Sequence, residues 1–397
     1  MLKGQLLARL AALEHGQILL EDSLGSTLLG PRETDLHVRV QVHDGEFYRA
    51  VAARGSVGAA EAYMAGHWSC DDLVALVRIL VRNRALLDGM EGGTARVAAW
   101  LLRALHELRR NTRAGARRNI AAHYDLGNDF FSLFLSADMM YSSALWEAAD
   151  DTLERASSRK LERVCARLQL RARDHVLEIG TGWGGFALHA ATHHGCRVTT
   201  TTLSREQQRL AQQRIAAAGL SDRITVLLED YRNLRGRYDK LVSIEMVEAV
   251  GAQYLETYFG KLGELLAPDG LALLQAITIE DHRYAQALRS VDFIKRHVFP
   301  GSFIPSIEAL MVAKSRACEL ALVQMEDFGL SYARTLEAWR RAFLERRDAA
   351  RGLGFDERFL RMWEYYLAYC EGGFRERSIG VAHLLFAAPG YRPPVAP

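Results

Sequence analysis

The chain has 397 residues, of which 49% are hydrophobic and 25% are charged, and this balance is typical of a folded protein with one large or two modest domains. Its formal charge of +2 is too small to indicate nucleic-acid binding by itself. Five cysteines occur without a Cys-x-x-Cys pair, which fits a reducing cytoplasm better than a disulfide framework or a zinc site. The sequence shows neither a signal peptide nor an apolar run that could span a bilayer, so contact with lipid is expected only from the side.

The N-terminal part of the chain is predicted to be mainly helical. Leucines at helical spacing within residues 1–34 indicate an amphipathic helix, and Asp71 or Asp72 is expected to cap a helix over residues 73–81. Between them, strands at 36–42 and 47–52 joined at Asp44-Gly45 predict a hairpin.

Residues 95–118 form the most biased segment, with seven arginines against one acid, Glu107. Trp100 and several leucines add an apolar stripe at helical spacing. A basic amphipathic helix of this kind can lie on an anionic membrane surface. It can equally be a core-facing helix with a solvated basic side, and the sequence leaves both interpretations open.

The central motif lies at residues 175–185, where an apolar run containing Glu178 leads into glycines at 180, 182, 184 and 185 and then into a helical pattern. A strand, glycine turn and helix in this order let backbone N–H groups approach a ligand closely. The spacing fits both the dinucleotide fingerprint and the acid-plus-glycines pattern of S-adenosylmethionine (SAM) methyltransferases. The next strand, at 196–202, ends in threonines instead of the acid that a nicotinamide site requires, although Gln207 could bond a ribose. SAM is therefore the preferred ligand.

Strands and helices continue to alternate, with strands predicted at 223–228, 240–244 and 271–279 and helices at 205–219 and 254–266. This alternation predicts a doubly wound, mostly parallel α/β sheet with its ligand at the carboxyl ends of the strands. Asp230 is expected to accept a hydrogen bond from an adenine amino group, and Tyr231 to cover the ring. A closing strand pair is predicted at 320–328 and 381–387, and an aromatic, proline-containing segment at about 280–315 is predicted to act as a lid.

Several short motifs occur together in a fixed order: 58–72, 123–128, Tyr141-Ser142, 178–185, 202–207 and 327–336 followed by Trp339. In this combination the chain resembles, over nearly its whole length, the cyclopropane fatty acyl phospholipid synthases, which are SAM-dependent C-methyltransferases that act on unsaturated acyl chains. The resemblance implies a seven-stranded methyltransferase sheet in residues 116–397 and a smaller domain, associated with lipid or membrane, in residues 1–115.

The resemblance also implies roles for individual residues. The residues expected to surround SAM are Tyr141, Ser142, Glu178, Gly180, Gly182, Gly184, Thr202, Leu203, Gln207, Asp230 and Tyr231. The family is expected to hold a bicarbonate ion as the catalytic base, through a cysteine, a glutamate, a histidine, a backbone amide and a tyrosine. Glu248, the amide of Ile277, and Tyr332 match three of these ligands. Ser143 stands where the cysteine is usual and Gln275 where the histidine is, which puts bicarbonate and the product in question.

Each catalytic candidate also has a purely structural interpretation. Glu248 could cap the following helix, Gln275 could be a buried amide bonded to the backbone, and Tyr332 could serve only in packing. Cys370 matches a cysteine once proposed as a nucleophile in the family, but it is more often an inert apolar residue. His123, Asp125 and Asp129 are not accompanied by the further ligands that a metal site requires, so no metal is expected.

The preferred function is transfer of the SAM methyl group to the double bond of an unsaturated acyl chain in a phospholipid, giving a cyclopropane after loss of a proton to bicarbonate. The first alternative keeps donor and acceptor but yields a methylene-branched, methyl-branched or furan-precursor chain, and the second is a non-catalytic SAM- or lipid-binding protein. A nucleic-acid methyltransferase is disfavoured because no Asn/Asp-Pro-Pro-Tyr motif follows the fourth strand. The expected location is cytoplasmic and peripheral at the inner membrane leaflet, on an anionic surface. A homodimer is considered, but the sequence does not fix the oligomeric state.

Overall fold

A computed structural model describes residues 2–88 and 126–393 of the chain. The chain divides into two compact units. The first unit contains Met1–Leu108, Leu288–Pro300 and Leu336–Ser378, and the second contains Arg109–Ala287, Gly301–Thr335 and Ile379–Pro397. The basic segment 95–118 and the residues His123 and Asp125 lie outside the described residues.

The N-terminal part of the first unit combines helices with a small sheet. Its elements are α1 (Leu2–Leu10), β1 (Gln17–Asp22), β2 (Gly25–Leu29), β3 (His37–Val42), α2 (Glu46–Met64), β4 (Trp68–Cys70), α3 (Leu73–Arg82) and α4 (Arg84–Asp88). The four strands pair in the order β2-β1-β3-β4, and this sheet was not predicted. The predicted helices α1 and α3 are confirmed, and Asp72 caps α3 by accepting a hydrogen bond from the backbone N–H of Ala75.

The predicted hairpin is wrong. Residues 47–52 belong to α2, not to a strand, and β3 pairs with β1 and β4 instead. The carboxylate of Asp44 accepts from the backbone N–H of Glu46, so the Asp-Gly pair starts a helix in place of a hairpin turn. The alanines that follow favour this helix.

The C-terminal elements of the first unit pack on its N-terminal helices. They include a π-helical turn (Ile294–Val298) and the helices α13 (Arg347–Gly352) and α14 (Glu357–Arg375). Glu376, which follows α14, accepts hydrogen bonds from both Arg78 and Arg82 of α3. Gly372 of α14 lies so close to α3 that an added Cβ would be 2.6 Å from a side-chain carbon of Val77. The first unit is therefore built from segments that are nearly 300 residues apart.

The second unit contains the predicted doubly wound sheet. Its elements are α5 (Asn128–Ser132), α6 (Leu153–Arg167), β5 (His175–Ile179), α7 (Gly185–His194), β6 (Arg197–Thr201), α8 (Arg205–Ala217), β7 (Ile224–Leu227), β8 (Tyr238–Ile244), α9 (Leu255–Leu265), β9 (Leu266–Ile279), α10 (Asp281–Arg289), α11 (Ile307–Ala317), β10 (Ala321–Asp327) and β11 (Ile379–Ala387). Helix α12 (Gly329–Glu345) crosses the division of the chain between Thr335 and Leu336.

The seven strands run in the order β10-β11-β9-β8-β5-β6-β7. The five strands from β9 to β7 are parallel, whereas β11 is antiparallel to both β9 and β10. The predicted fold class and the predicted closing strand pair are confirmed. Apolar side chains cover both faces of this sheet, as a parallel sheet requires.

The segment predicted to be a lid contains α10, the π-helical turn and α11, and its parts belong to both units. In the first unit, Arg296 and His297 contact the carboxylate of Glu61. In the second unit, the backbone N–H of Phe303 donates to the carbonyl oxygen of Glu248. Its role as a lid stays a prediction. In the described ranges, every helix is too short or too polar to cross a bilayer.

Candidate active site

The glycine turn between β5 and α7 has the backbone geometry that the sequence predicts. Gly180, Gly182 and Gly184 have φ angles of 106°, 51° and 83°, a region that side-chain-bearing residues rarely adopt. The backbone N–H groups of Gly180 and Thr181 both donate to the carbonyl oxygen of Thr201, so the turn is fixed to β6. A Cβ at Gly180 would lie 3.3 Å from Cβ of Met246, which places the residues after β8 directly against this turn.

Glu178 is a buried acid in the middle of this sheet. Its side chain is only 2% exposed, and the oxygen Oε2 makes no hydrogen bond in the described part of the chain. Burial raises the pKa of this carboxyl group to about 8, although Thr200 and Lys160 favour the charged form. An unsatisfied buried oxygen beside the glycine turn fits a ligand that brings a hydrogen-bond donor or a positive charge.

The loop after β6 holds Gln207 in a fixed position. Ser204 caps α8, and the hydroxyl of Thr202 donates to the side-chain oxygen of Gln207 over 2.8 Å. Thr202 and Gln207 are buried, and Leu203 between them is partly exposed. The sequence-predicted residues of this loop therefore lie together at the carboxyl end of β6, on the same edge of the sheet as the glycine turn.

Asp230 and Tyr231 follow β7 at the same edge. Both carboxylate oxygens of Asp230 accept hydrogen bonds from Arg232, at 2.6 and 2.8 Å from its guanidinium nitrogens, so an adenine amino group would share this carboxylate with Arg232. The ring of Tyr231 contacts Tyr258 edge-on at 5.6 Å. The hydroxyl of Tyr231 is buried and makes no hydrogen bond to the described residues.

Tyr141 and Ser142, which the sequence predicts at the SAM site, lie in the segment between α5 and α6. The ring of Tyr141 packs against Phe131, and the hydroxyl of Ser142 accepts a hydrogen bond from the ammonium group of Lys160 over 2.9 Å. Lys160 is fully buried on α6, and burial lowers its pKa to about 8 although Glu245, Asp138 and Glu178 attract the charge. The sequence analysis did not single out Lys160.

The centre of the site is the carboxylate of Glu245, directly after β8. One oxygen accepts hydrogen bonds from the backbone N–H of Ser143 (2.9 Å) and from the side-chain amide of Gln275 (2.7 Å). The other oxygen accepts from the hydroxyl of Tyr332 over 2.7 Å. Three donors from three separate elements therefore converge on one carboxylate.

The backbone of Glu245 is in the left-handed region, with φ of 47°. This conformation costs an ordinary L-residue about 1–2 kcal/mol and is uncommon outside turns and functional sites. Its N–H donates to the carbonyl oxygen of Gln275, so β9 helps to hold the strained residue in place. The strain aims the carboxylate at the donors of Ser143, Gln275 and Tyr332.

Gln275 is oriented by a second buried residue, His383 of β11, which lies directly opposite it in the sheet. The side-chain oxygen of Gln275 is 3.0 Å from Nε2 of His383. Because that oxygen only accepts, the imidazole must carry its proton on Nε2. Burial lowers the pKa of His383 to about 3, so the ring is neutral. The amide group of Gln275 is thereby turned so that its nitrogen faces Glu245.

Glu248, which the family resemblance predicts as a ligand of bicarbonate, lies three residues after Glu245 in a short 3₁₀ turn. Its Oε1 accepts a hydrogen bond of 2.6 Å from the backbone N–H of Ile277, and its Oε2 makes none among the described residues. Burial and, next, the charge of Glu245 raise the pKa of this carboxyl group to about 8. The structure thus brings Glu248, Ile277, Gln275, Tyr332 and the backbone of Ser143 into one cluster.

Two predicted catalytic residues, Ser143 and Cys370, do not have the roles that the sequence predicts. The hydroxyl of Ser143 donates to the carbonyl oxygen of Ala144, so only the backbone of Ser143 reaches Glu245. Cys370 belongs to α14 of the first unit, and burial raises the pKa of its thiol. A thiol that keeps its proton is a poor nucleophile.

The sequence analysis missed three residues of the site: Glu245, Lys160 and His383. Each left a weak signal, because a charged or imidazole side chain stands where the surrounding pattern is apolar. Lys160 lies on the buried face of α6, His383 interrupts the apolar run of β11, and Glu245 directly follows the last residue of β8. A polar residue in such a position requires a partner, and this requirement is the signal.

Two other features of the second unit are a pocket and a cluster of three side chains that could bind a metal ion. A pocket near α6 and α7 includes the charged residues Asp138, Glu154 and Arg214 in its lining, and these do not suit an acyl chain. Cys165, His189 and His194 approach one another within 4.8 Å. Both imidazoles contact Glu162, and burial raises the pKa of the Cys165 thiol, so this cluster is explained without an ion.

A comparison with protein families relates this chain to a known family. Residues 111–384 match the family model described as mycolic acid cyclopropane synthetase. The chain belongs to this family. As a member of the cyclopropane synthetase family, it is a SAM-dependent C-methyltransferase, and the family predicted from the sequence is confirmed.

Characterised relatives match nearly the whole of this family member. It is 37% identical to the tuberculostearic acid methyltransferase UfaA1 of Mycobacterium tuberculosis, over 95% of this chain and 89% of that protein. It is 36% identical to the cyclopropane-fatty-acyl-phospholipid synthase of Escherichia coli, over 88% of this chain and 87% of that protein. A sphingolipid C9-methyltransferase of Emericella nidulans is 31% identical over 66% of this chain and 52% of that protein.

Solved structures agree with this assignment. The mycolic acid cyclopropane synthase CmaA1, complexed with SAH and CTAB, superposes with a TM-score of 0.64 at 29% identity, covering 68% of this chain and 98% of that one. The cyclopropane synthase MmaA2 from Mycobacterium tuberculosis gives the same values. The left-handed glycines and the unpartnered oxygens of Glu178 and Tyr231 fit SAM, whose adenosine part brings donors and whose sulfonium brings a positive charge.

Proposed function

We propose that this protein transfers the methyl group of SAM to the double bond of an unsaturated acyl chain in a phospholipid. The observation that carries the proposal is the pair of partly buried carboxyl groups, Glu245 and Glu248, next to the glycine turn. Methylation of an alkene leaves a carbocation, which requires negative charge nearby and a base that removes a proton. The names of the relatives, which act on fatty acyl chains, support the same class of acceptor.

The chain's own residues have separate tasks in this reaction. SAM, when bound, supplies a methyl group made electrophilic by the positively charged sulfur. The residues proposed to hold it are those at the carboxyl ends of β5, β6 and β7, together with Tyr141 and Ser142. Tyr332 and Gln275 fix the carboxylate of Glu245, and the backbone of Ile277 fixes Glu248.

The first candidate product is a cyclopropane, formed when the cation closes a ring as it loses a proton. A second candidate, a methylene-branched chain, is favoured by the residues around Glu245. Ser143 and Gln275 replace the cysteine and histidine that the family resemblance implies, so the base differs from that of a bicarbonate-dependent synthase. If the cation survives long enough for a hydride to shift to it before the proton is lost, a methylene branch (C=CH2) forms on the chain in place of the ring.

The test is methyl transfer from ¹³C-methyl-labelled SAM to phospholipid vesicles with monounsaturated chains, with fully saturated vesicles as the matched control. We expect the label in the unsaturated lipid only. NMR of the acyl chains then distinguishes the protons of a cyclopropane ring from those of a methylene branch. Equal release of S-adenosylhomocysteine from both kinds of vesicle, without label in lipid, would sink the proposal.

We propose further that the enzyme works at the cytoplasmic leaflet as a peripheral protein, through residues 1–115. The basic segment 95–118 motivates this, because clustered arginines attract anionic lipid headgroups by about 1 kcal/mol each near the surface. Co-sedimentation with phosphatidylglycerol vesicles should exceed that with phosphatidylcholine vesicles and should weaken as salt is added. Replacing Arg109, Arg110 and Arg113 by glutamine should reduce the difference, and an unchanged difference would exclude this segment.

A further inference from the structure

The groups that the family resemblance assigns to bicarbonate are already bonded to other groups of this chain. Gln275 and Tyr332 already donate to the carboxylate of Glu245, and the N–H of Ile277 donates to Glu248. The hydroxyl of Ser143 donates to a backbone carbonyl. A free anion would also lie next to two partly buried carboxyl groups, Glu245 and Glu248, and this placement is unfavourable where water is partly excluded.

The donors nevertheless surround an anion, and that anion is part of the chain. The carboxylate of Glu245 has the same planar arrangement of two oxygens as bicarbonate, and it bonds to Tyr332, Gln275 and the backbone of Ser143. We propose that Glu245 is the catalytic base of this enzyme and takes the place of a bound bicarbonate. This inference rests on the proposed function.

Electrostatics distinguish Glu245 from its neighbour Glu248. Burial raises the pKa of Glu245, but three hydrogen bonds and the buried charge of Lys160 oppose the increase by stabilising the anion. Within the described ranges, Glu248 accepts from backbone N–H groups and from no side chain, and the charge of Glu245 raises its pKa further. Of the two, Glu245 is therefore the carboxyl group that holds the negative charge, and Glu248 is the one that more readily keeps its proton.

The strained backbone of Glu245 supports the same assignment. Its left-handed φ of 47° would be relaxed in glycine, so packing alone does not explain an acid at this position. The strain persists because the N–H of Glu245 is bonded to Gln275 and its side chain to three donors. Such an arrangement fixes a carboxylate before the substrate arrives.

The step balances without a further reactant. The π electrons of the alkene form the new bond to the methyl carbon while the carbon–sulfur bond breaks and its electron pair stays on sulfur. The positive charge passes to the neighbouring carbon of the acyl chain. A C–H bond of the new methyl group then breaks, its electrons close the ring, and the proton goes to the carboxylate of Glu245. On the methylene route, a hydride first shifts from the methylated carbon to the cationic carbon, and the electrons of the methyl C–H bond then form the double bond as the proton leaves to Glu245. Tyr332 is hydrogen-bonded to that carboxylate and can pass the proton on.

The test compares the wild type with Glu245→Gln, Glu245→Gly and the control Glu264→Gln, which makes the same change at an exposed residue of α9. Rates on monounsaturated vesicles are measured in buffer freed of carbon dioxide and in buffer with added bicarbonate. We expect the wild-type rate to be the same in both, and Glu245→Gln to be at least about 100-fold slower with SAM affinity retained. Glu245→Gly, which opens the space that the carboxylate fills, should gain rate with added bicarbonate or formate.

A wild type that loses most of its rate without bicarbonate, or a Glu245→Gln variant within about threefold of the wild type, would overturn the assignment while leaving methyl transfer standing. Methyl transfer itself fails separately, if the wild type labels no unsaturated lipid. Binding of ¹³C-bicarbonate followed by NMR tests the inference even then. Binding should occur in Glu245→Gly but not in the wild type, and equal binding by the two proteins would contradict it.

Discussion

The side-chain nitrogen of Gln275 lies 2.7 Å from a carboxylate oxygen of Glu245. The two residues are on neighbouring parallel strands, and their backbones are bonded as well. The amide of Gln275 carries no charge, so this hydrogen bond stabilises the carboxylate of Glu245 without neutralising its negative charge. The carboxylate of Glu245 therefore keeps its negative charge at the place where the reaction develops a positive one.

Glu248→Gln should reduce turnover by about 100-fold or more while SAM still binds, because an amide cannot hold or move a proton next to Glu245, although the backbone bond from Ile277 is kept. Turnover is measured by release of S-adenosylhomocysteine, and SAM affinity by calorimetry. Glu256→Gln, on the exposed face of α9, is the matched control and should behave as the wild type. A Glu248→Gln variant with near-normal turnover would remove this residue from the mechanism.

His383→Phe should slow turnover about tenfold with little change in KM. The phenyl ring keeps the edge contact with Phe328 but cannot donate to Gln275, so the amide of Gln275 is free to turn away from Glu245. The loss should be larger in kcat than in stability, and the ratio of ring to methylene product should shift. His383→Gln supplies a new donor and should restore part of the rate. A variant that is merely less stable, with unchanged kcat, would show that His383 has only a packing role.

Glu178 should make the protein less stable as pH rises. Its pKa is raised from an ordinary 4.5 to about 8 in the folded state, so between these values the unfolded chain loses a proton that the folded chain keeps. The stabilisation is complete below about pH 4.5 and is lost as the pH approaches 8, at up to about 1.4 kcal/mol per pH unit. Thermal unfolding measured at about pH 5 and pH 8 should show a smaller difference in Glu178→Gln than in the wild type. Glu264→Gln is the control, and equal differences in all three proteins would contradict the shift.

Lys160→Met should move the pH profile of the reaction to higher pH. The buried ammonium group lowers the pKa of Glu245 and of Glu178 through its charge, and methionine fills a similar volume without that charge. We expect an alkaline shift of about one unit in kcat/KM and a slower reaction at neutral pH. Because burial of the charge is itself costly, the melting temperature should not fall in proportion. An unchanged pH profile would show that Lys160 does not act on these carboxyl groups.

The sheet could be predicted from the sequence because its signals are local. Most of the parallel strands are rich in apolar or β-branched residues and are followed by polar residues. The glycines at 180, 182 and 184 have backbone angles that a turn of this type requires. The hairpin failed because Asp44-Gly45 is compatible with both a turn and a helix start, and nothing local decides between them.

The centre of the site was harder to predict because its contacts are not local. Glu248 stands out by its place in a motif, whereas the role of Glu245 depends on a left-handed backbone and on donors more than 80 residues away in either direction. His383 pairs with Gln275 only because β11 inserts between β10 and β9. A sequence shows that each of these polar residues requires a partner, but only the strand order shows which one.

The first unit is assembled from distant parts of the chain, because α14 and Glu376 complete the packing of α3. During synthesis on the ribosome, the N-terminal helices emerge long before the residues that cover them. Most strands of the methyltransferase sheet can form during that interval, while the apolar side of α3 stays uncovered until α14 has been synthesised. A chaperone that shields this helix until translation is nearly finished would therefore be expected to raise the yield of active enzyme.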